Sequence, residues 1–517
     1  MIVQPGAPDD LRLEPVRWQP VIDRRVVRRV RLLVLANVAL AVWYFGWLVR
    51  PDRIGNPLLF ALLLLAEAFN LLQAVGFWWT VSRRRPRAGP TQNDIGDRAD
   101  ADVDILIPVY NEPLDVVEMT IAAATRLHGA RVRVAVLDDG KRSALARIAD
   151  RYGARYLRRG VNTGAKAGNL NHALARTDAE FVVVLDCDHV PGPRLLAATL
   201  PHFRDDQVGF VQAPQYYANA DATPVAAAAW AQQSLFFGPI ACGKGRIGAM
   251  FCCGTNVVFR RAALDAAGGF PEDSITEDFE LSARLHAAGW QSRYVPEVVA
   301  RGLGPEDMAS YVSQQQRWAK GCLSTLPNLL RSKLAWKLRL QYLLSASYFL
   351  TGWTILIYMT LPVVRIFTGA QPLAGASADQ FLLHFAPYFA TALLTVATVG
   401  AGCYTYSAFC LATASFWIHV QATITTVLRR KQRFVVTPKR GSAQRQPRAV
   451  LPALVAMAIL LSAVAIGMSR PWSPAMLNNV SFAALHLIVL GTGVAPAFRR
   501  RAPAIVSEAE TEARQAA

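Results

Sequence analysis

Four groups of residues in this chain place reactive side chains at spacings that suit chemistry. Asp138–Asp139–Gly140 closes a β-rich run, and Asp186-x-Asp188 followed by His189 closes another. Thr276–Glu277–Asp278 opens a helical stretch, and Gln314-x-x-Arg317–Trp318 stands just ahead of a long apolar run. Two carboxylates of a D-x-D pair at a strand end can hold a hard divalent cation, directly or through its waters, and leave positions for a diphosphate. Such a cation neutralises charge that develops on a leaving nucleoside diphosphate. His189 reads equally as an extra ligand, a contact to the ligands or a structural residue.

Taken singly, these groups also fit plain turns, because loops favour Asp, Asn and Gly for backbone reasons. Thr276 reads as a helix N-cap as readily as Asp278 reads as a general base aimed at an acceptor hydroxyl. Arg317 suits bidentate phosphate pairing, and Trp318 offers a sugar an apolar face or anchors a membrane-surface helix. Upstream, 164–171 (Gly-Ala-Lys-Ala-Gly-Asn-Leu-Asn) opens a helix whose small residues admit a phosphate, with Lys166 as a point charge. The Walker spacing is absent, which argues against an ATPase.

The elements that must carry these groups alternate. Strands are expected over 104–109, 132–137, 181–185 and 208–211, with helical periods at 114–127 and 194–203 between them. That order predicts a mostly parallel sheet with helices on both faces. In such sheets ligands bind beyond the carboxyl ends of the strands, where Tyr110–Asn111–Glu112, Asp138–Asp139 and Asp186–His189 stand. Three polar clusters at three strand ends of one sheet are hard to assign to turns alone.

This domain lies between membrane-length apolar runs. The chain is 53% hydrophobic and only 18% charged, with 55 basic against 37 acidic residues in 517. Positions 83–339 hold 32 basic and 27 acidic residues, so most of the excess sits in the flanks. Basic charge beside apolar runs is the positive-inside pattern, which argues against a nucleic-acid reading. Runs at 32–49 and 57–81 form a hairpin with basic clusters at both ends, and a third spans 341–364. The loop 429–448 carries eight basic residues and no acidic one, which places it in the cytoplasm. Parity then assigns one span near 381–402 and an interfacial stretch over 404–419. Two further spans, 449–469 and 476–495, bring the total to six. Glu67, with Asn70 one turn away, reads as a functional intramembrane carboxylate or as a helix–helix hydrogen bond. The seven scattered cysteines fit reduced, buried thiols facing a cytoplasm. No cleavable signal peptide is expected.

In order and spacing the four groups resemble the processive, inverting family 2 glycosyltransferases, which include cellulose, hyaluronan, chitin and curdlan synthases. Phe434-x-Val436–Thr437-x-Lys439, in the basic loop, resembles the gating-loop motif of bacterial cellulose synthase catalytic subunits. The resemblance implies an α/β cytoplasmic GT-A type, Rossmann-like domain inserted between transmembrane helices. Its parts would be a basic N-terminus (1–31), a two-helix hairpin (32–81), the transferase domain with interfacial helices (82–340), two spans plus an interfacial helix (341–428), the gating loop (429–448), two spans (449–498) and a tail (499–517).

It also implies roles. Tyr110, Glu112, Asp138, Asp139, Lys166, Asp186 and Asp188 would bind the nucleotide sugar, with Mg²⁺ (or Mn²⁺) on Asp186 and Asp188 and His189 beside it. Asp278 would be the catalytic base. Glu277, Gln314, Arg317 and Trp318 would meet acceptor and diphosphate. The expected activity is β-glucan polymerisation from UDP-glucose at the inner membrane, with the polymer leaving through the spans. Transfer of one sugar to a lipid carrier, a synthase using another nucleotide sugar, and a non-enzymatic scaffold are the alternatives. With 19 residues after position 498, an on-chain cyclic-di-GMP module is not expected. Cellulose and a 1,3-linked glucan therefore both stay open, as do a separate regulator and an export partner.

Overall fold

A computed structural model describes residues 24–82, 100–400, 402–430 and 444–499. Ten strands follow in order: β1 (Asp102–Val109), β2 (Arg131–Asp138), β3 (Arg155–Leu157), β4 (Phe181–Val184), β5 (Val190–Pro191), β6 (Val208–Gln212), β7 (Tyr216–Tyr217), β8 (Val257–Arg260), β9 (Gln291–Tyr294) and β10 (Ala300–Gly302). Seven of them make one sheet in the order β3-β2-β1-β4-β8-β6-β9, and β5-β10-β7 make a small second one. Apolar residues run nearly unbroken through β1 and β4, and the structure buries both faces of these strands. That is how a central strand covered by helices on either side reads.

All four expected strands are present. The sheet is mixed, however, because β8 runs antiparallel to both β4 and β6. Val184, the last residue of β4, pairs with Val257, the first of β8. The reversed strand therefore brings its beginning to the edge where β1, β2 and β4 end.

Among the described residues, seven helices are long and apolar enough to cross a membrane: Arg25–Leu48, Pro57–Val81, Trp336–Thr368, Ala378–Gly400, Tyr406–Val427, Pro447–Ser469 and Pro474–Phe498. The fifth covers the stretch expected to be interfacial. It breaks at Ser415 into Tyr406–Ala414 and Phe416–Val427, and half of its apolar window is buried, the largest share of the seven. Its second half packs along the Met308–Arg331 helix, where Gln316 donates to Gln421 at 2.9 Å.

The hairpin is sewn to the third apolar helix by polar side chains. Gln341 donates to Thr80 (3.0 Å), Gln73 to Ser347 (2.8 Å) and Asn70 to the Tyr358 hydroxyl (2.9 Å). Glu67 is buried and accepts from the Tyr44 hydroxyl at 3.2 Å, a helix–helix hydrogen bond. The buried Lys244, on the domain side, donates to Gln341 (2.9 Å) and Ser345 (2.8 Å), fastening the domain to this seam. Of the seven cysteines only Cys403 is exposed.

Candidate active site

The site lies along the sheet edge where β1, β2 and β4 end and β8 begins. Beyond β1, Tyr110 is exposed, and its N–H donates to Glu112 Oε2 at 2.8 Å. Arg142 Nη1 donates to the Glu112 carbonyl at 2.6 Å, which joins this turn to the one beyond β2.

The paired aspartates after β2 have different work. Asp138 is fully buried and accepts from Gly140 N (2.8 Å), Arg142 N (2.7 Å) and the Tyr156 hydroxyl (2.9 Å), so its carboxylate holds the turn. Asp139 is gripped by the Arg159 fork, with both bonds at 2.7 Å. Arg159 also donates to the Thr163 and Ala165 carbonyls, so one guanidinium fixes Asp139 and the approach to the Ala165–Leu174 helix. Sequence reading missed Arg159. Nothing in Arg158–Arg159–Gly160 tells which arginine turns inward.

At the centre, Lys166 Nζ donates to Asp186 Oδ1 (2.5 Å) and to the Gly254 carbonyl (2.7 Å). Burial works against this ammonium, but the charges of Asp186, Glu277 and Asp278 hold it up to about 12. The Asp186 N–H donates to Thr255 Oγ1 at 2.8 Å. The 252–256 segment is thus the floor of the site, and sequence reading missed it too. It is braced by Gln212, which takes the Cys253 N–H (2.8 Å) and donates to Thr255 O (2.8 Å), and by Ser282, which takes the Cys252 N–H (2.7 Å). Gly254 has φ +80°, and a Cβ there would lie 3.1 Å from Asp278 Oδ2 and 3.5 Å from Lys166 Nζ. A side chain at 254 would be strained and would crowd both.

Asp186, Asp188 and His189 each present one donor atom, all within 4.8 Å of one another. Asp188 is buried, with its Oδ1 3.3 Å from His189 Nδ1, and the other ring nitrogen is buried without a hydrogen-bond partner. Two carboxylates and an imidazole fit a divalent ion such as Mg²⁺ or Mn²⁺.

Asp278 occupies the first turn of the Glu277–Ala287 helix, with Oδ1 accepting the Phe279 N–H at 2.8 Å. Burial, then the adjacent Glu277 charge, push its carboxyl well above the usual range, with Lys166 and Arg317 pulling the other way. Thr276 stands at the N-cap position, yet its hydroxyl makes no cap bond and is buried without a partner. Thr276 instead abuts Gly321 of the Met308–Arg331 helix, where a Cβ would lie 2.2 Å from Thr276 Cγ2. That same helix carries Gln314, Arg317 and Trp318, all half-buried. Trp318 packs with Phe349 and Ala422 of the apolar helices. The structure therefore joins Lys166, Asp186, Asp188, His189, Glu277 and Asp278, and sets the Gln314–Trp318 helix against them. Phe434, Val436, Thr437 and Lys439 lie outside the described residues.

A mixed sheet with a D-x-D cluster and a helix-borne aspartate at one edge is the GT-A form of a glycosyltransferase. Residues 181–401 match the model of glycosyl transferase family group 2, and the chain carries a family 2 glycosyltransferase domain. It is 30% identical over 446 residues to cellulose synthase 1 catalytic subunit [UDP-forming] of Komagataeibacter xylinus, covering 82% of this chain and 59% of that one. To the cellulose synthase catalytic subunit [UDP-forming] of Pseudomonas fluorescens it is 30% identical over 420 residues, 77% of this chain and 57% of the relative. It spans 31% of the length of cellulose synthase 1 of Komagataeibacter xylinus, again at 30% identity. In fold it is similar to a mannosyltransferase from Pyrobaculum calidifontis solved with GDP-Man and Mn²⁺, with a TM-score of 0.52, 18% identity, and 72% of this chain and all of the other covered.

Proposed function

We propose that this protein is a multi-pass inner-membrane polymerase that adds glucose from UDP-glucose to a growing β-glucan and passes the product through its own helices. The observation that carries this reading is the Met308–Arg331 helix. Along it Gly321 meets Thr276, two residues from Asp278, while Gln316 and Trp318 meet Gln421, Phe349 and Ala422 of the apolar helices. An acceptor held by this helix lies between the base and the bundle, so each addition at a fixed point displaces the chain toward the helices.

In the proposed chemistry the acceptor hydroxyl attacks the anomeric carbon, and Asp278 takes its proton. The bond from that carbon to the diphosphate breaks on the opposite face, UDP departs, and α becomes β in one displacement. Asp186 and Asp188, with His189 beside them, would hold Mg²⁺ or Mn²⁺, which supplies charge neutralisation at the departing diphosphate. Lys166 adds a further positive charge there, and Asp139, fixed by Arg159, faces the nucleoside. The Tyr406–Val427 segment, broken and half-buried against the acceptor helix, is read as interfacial, which leaves six crossings and keeps 429–448 on the cytoplasmic side.

Membranes containing this chain, given Mg²⁺ and labelled UDP-glucose, UDP-N-acetylglucosamine or GDP-mannose in turn, test the reading. The expected result is high-molecular-weight label from UDP-glucose that β-glucanases release. Label confined to a lipid extract would replace polymerisation by single transfer, and polymer from another donor would change the sugar.

A further inference from the structure

The site described above already contains a cation on the carboxylate that a metal needs. Lys166 Nζ lies 2.5 Å from Asp186 Oδ1, and Asp186 belongs with Asp188 and His189 to the one group of three or more His, Cys, Asp or Glu side chains suited to an ion among the described residues. The lysine is not a loose surface charge. Its side chain is 20% exposed, and its second bond runs to the carbonyl of Gly254, in the segment that Gln212 and Ser282 brace. A divalent ion seated on Asp186 would stand within a few ångströms of this ammonium in a partly buried pocket, where like charges are poorly screened. The charges of Glu277 and Asp278 also act on the ammonium, but Asp186 is the carboxylate it bonds. Asp188 belongs to the metal group, and Asp278 must stay available as the base.

Resting on the reading of this edge as a nucleotide-sugar site, we infer that Lys166 is a place-holding cation. With no nucleotide present it occupies Asp186 and opposes binding of a divalent ion by itself. A diphosphate entering with the ion offers the ammonium a new partner, and Lys166 gives up Asp186 to the metal. Metal and nucleotide then bind with positive coupling, and each tightens the other by the same factor. The device makes the ion arrive with the donor and leave with the product, so Lys166 sets the order of binding as well as contacting the diphosphate.

The test uses the full chain in detergent, with Mn²⁺ as the probe and the loss of its free paramagnetic resonance signal as the readout, with and without saturating UDP. Wild-type protein should bind Mn²⁺ at least tenfold more tightly with UDP than without. Lys166→Met and Lys166→Gln should bind Mn²⁺ without UDP at least tenfold more tightly than wild type, and the gain from UDP should shrink by a similar factor. Asp186→Asn should lose tight binding under both conditions. Either Lys166 variant, melting as wild type does, with unchanged UDP-free Mn²⁺ affinity would overturn the inference, as would wild-type affinity indifferent to UDP. If UDP fails to bind wild type at all, it is the nucleotide-sugar reading that falls, while the UDP-free titrations still decide whether Lys166 blocks the metal.

Discussion

Gly321→Ala should slow the reaction about a hundredfold without unfolding the protein. The Met308–Arg331 helix approaches the catalytic turn so closely that a Cβ at 321 would sit 2.2 Å from Thr276 Cγ2 and 2.7 Å from its Oγ1. Ordinary van der Waals contact begins at 3.4 Å, so the two elements must part by about 1.2 Å, the difference between 3.4 and 2.2. Thr276 is two residues from Asp278, and neither neighbour is loose. Asp278 Oδ1 is tied to the Phe279 N–H and its carbonyl to Ser282 Oγ. The displacement therefore passes to the base or to the acceptor helix. A misplacement of about 1 Å costs on the order of a hundredfold in rate, about 2.7 kcal/mol of barrier. Helix propensity acts the other way, since Ala at a helix interior is favoured over Gly by about 1 kcal/mol. The assay is initial rate of polymer synthesis together with a melting curve, for Gly321→Ala, Thr276→Ala and the double variant. Thr276→Ala removes both offending atoms and leaves the next contact at 3.0 Å. It also deletes a buried hydroxyl that has no partner, so it should be nearly neutral alone and should restore most of the activity in the double variant. A fully active Gly321→Ala, or a double variant no better than the single, would refute the claim that this contact sets the geometry.

Three further outcomes follow from two buried groups. Asp278→Asn should lower synthesis by about 10²–10⁴-fold, the usual contribution of a positioned base, while UDP affinity stays nearly unchanged; retained turnover would remove Asp278 from that role. Because burial and Glu277 raise the Asp278 carboxyl to about 7, kcat/KM of the wild type should fall as pH drops below about 7, where the base becomes protonated, and a flat profile to pH 5 would contradict this. His286 is held down to about 4 by burial, between the Tyr342 hydroxyl (2.8 Å) and Ser292 Oγ (3.0 Å). Its folded pKa lies below the ordinary 6.5, so its contribution is present above pH 6.5 and is lost as pH falls toward 4, by roughly 3 kcal/mol over the window. Melting curves of wild type and His286→Gln between pH 7 and pH 5 check this, and equal acid sensitivity in both would count against it.

The sequence was most informative where function needs charge at the end of an apolar run. Asp139, Asp186 and Asp188 end strands of Val, Leu and Ile, and period and turn chemistry place them together at one edge. Lys166 and Asp278 were legible for a related reason, since each opens a helix behind small or capping residues. What stayed hidden depends on backbone groups or on atoms that are missing. The Gly254 carbonyl and the Gly321–Thr276 approach leave no side-chain pattern to read. Reversal of β8 was invisible because Val257–Arg260 is four residues long and carries no mark of direction. The Arg159–Asp139 fork spans 20 residues and could as well have been built from Arg158. Hydropathy found the 406–427 stretch but not its break at Ser415 or its packing on the Met308–Arg331 helix, which are tertiary facts.

The seam between the hairpin and the third apolar helix sets a schedule for making the protein. Asn70 is sewn to Tyr358, 288 positions further along, and Gln73 to Ser347, 274 further along. At a synthesis rate of about 5–20 residues per second, the hairpin waits on the order of 15–60 s for those partners. In that interval Asn70 and Gln73 lack the partners named here, and only Tyr44, made just before, is at hand for Glu67. The domain between has time to fold before the bundle that frames it can close. A nascent chain stalled before position 336 would still lack Tyr342, the partner of the buried His286, and Gln341, the partner of the buried Lys244, so the domain's own last contacts wait for the third apolar helix.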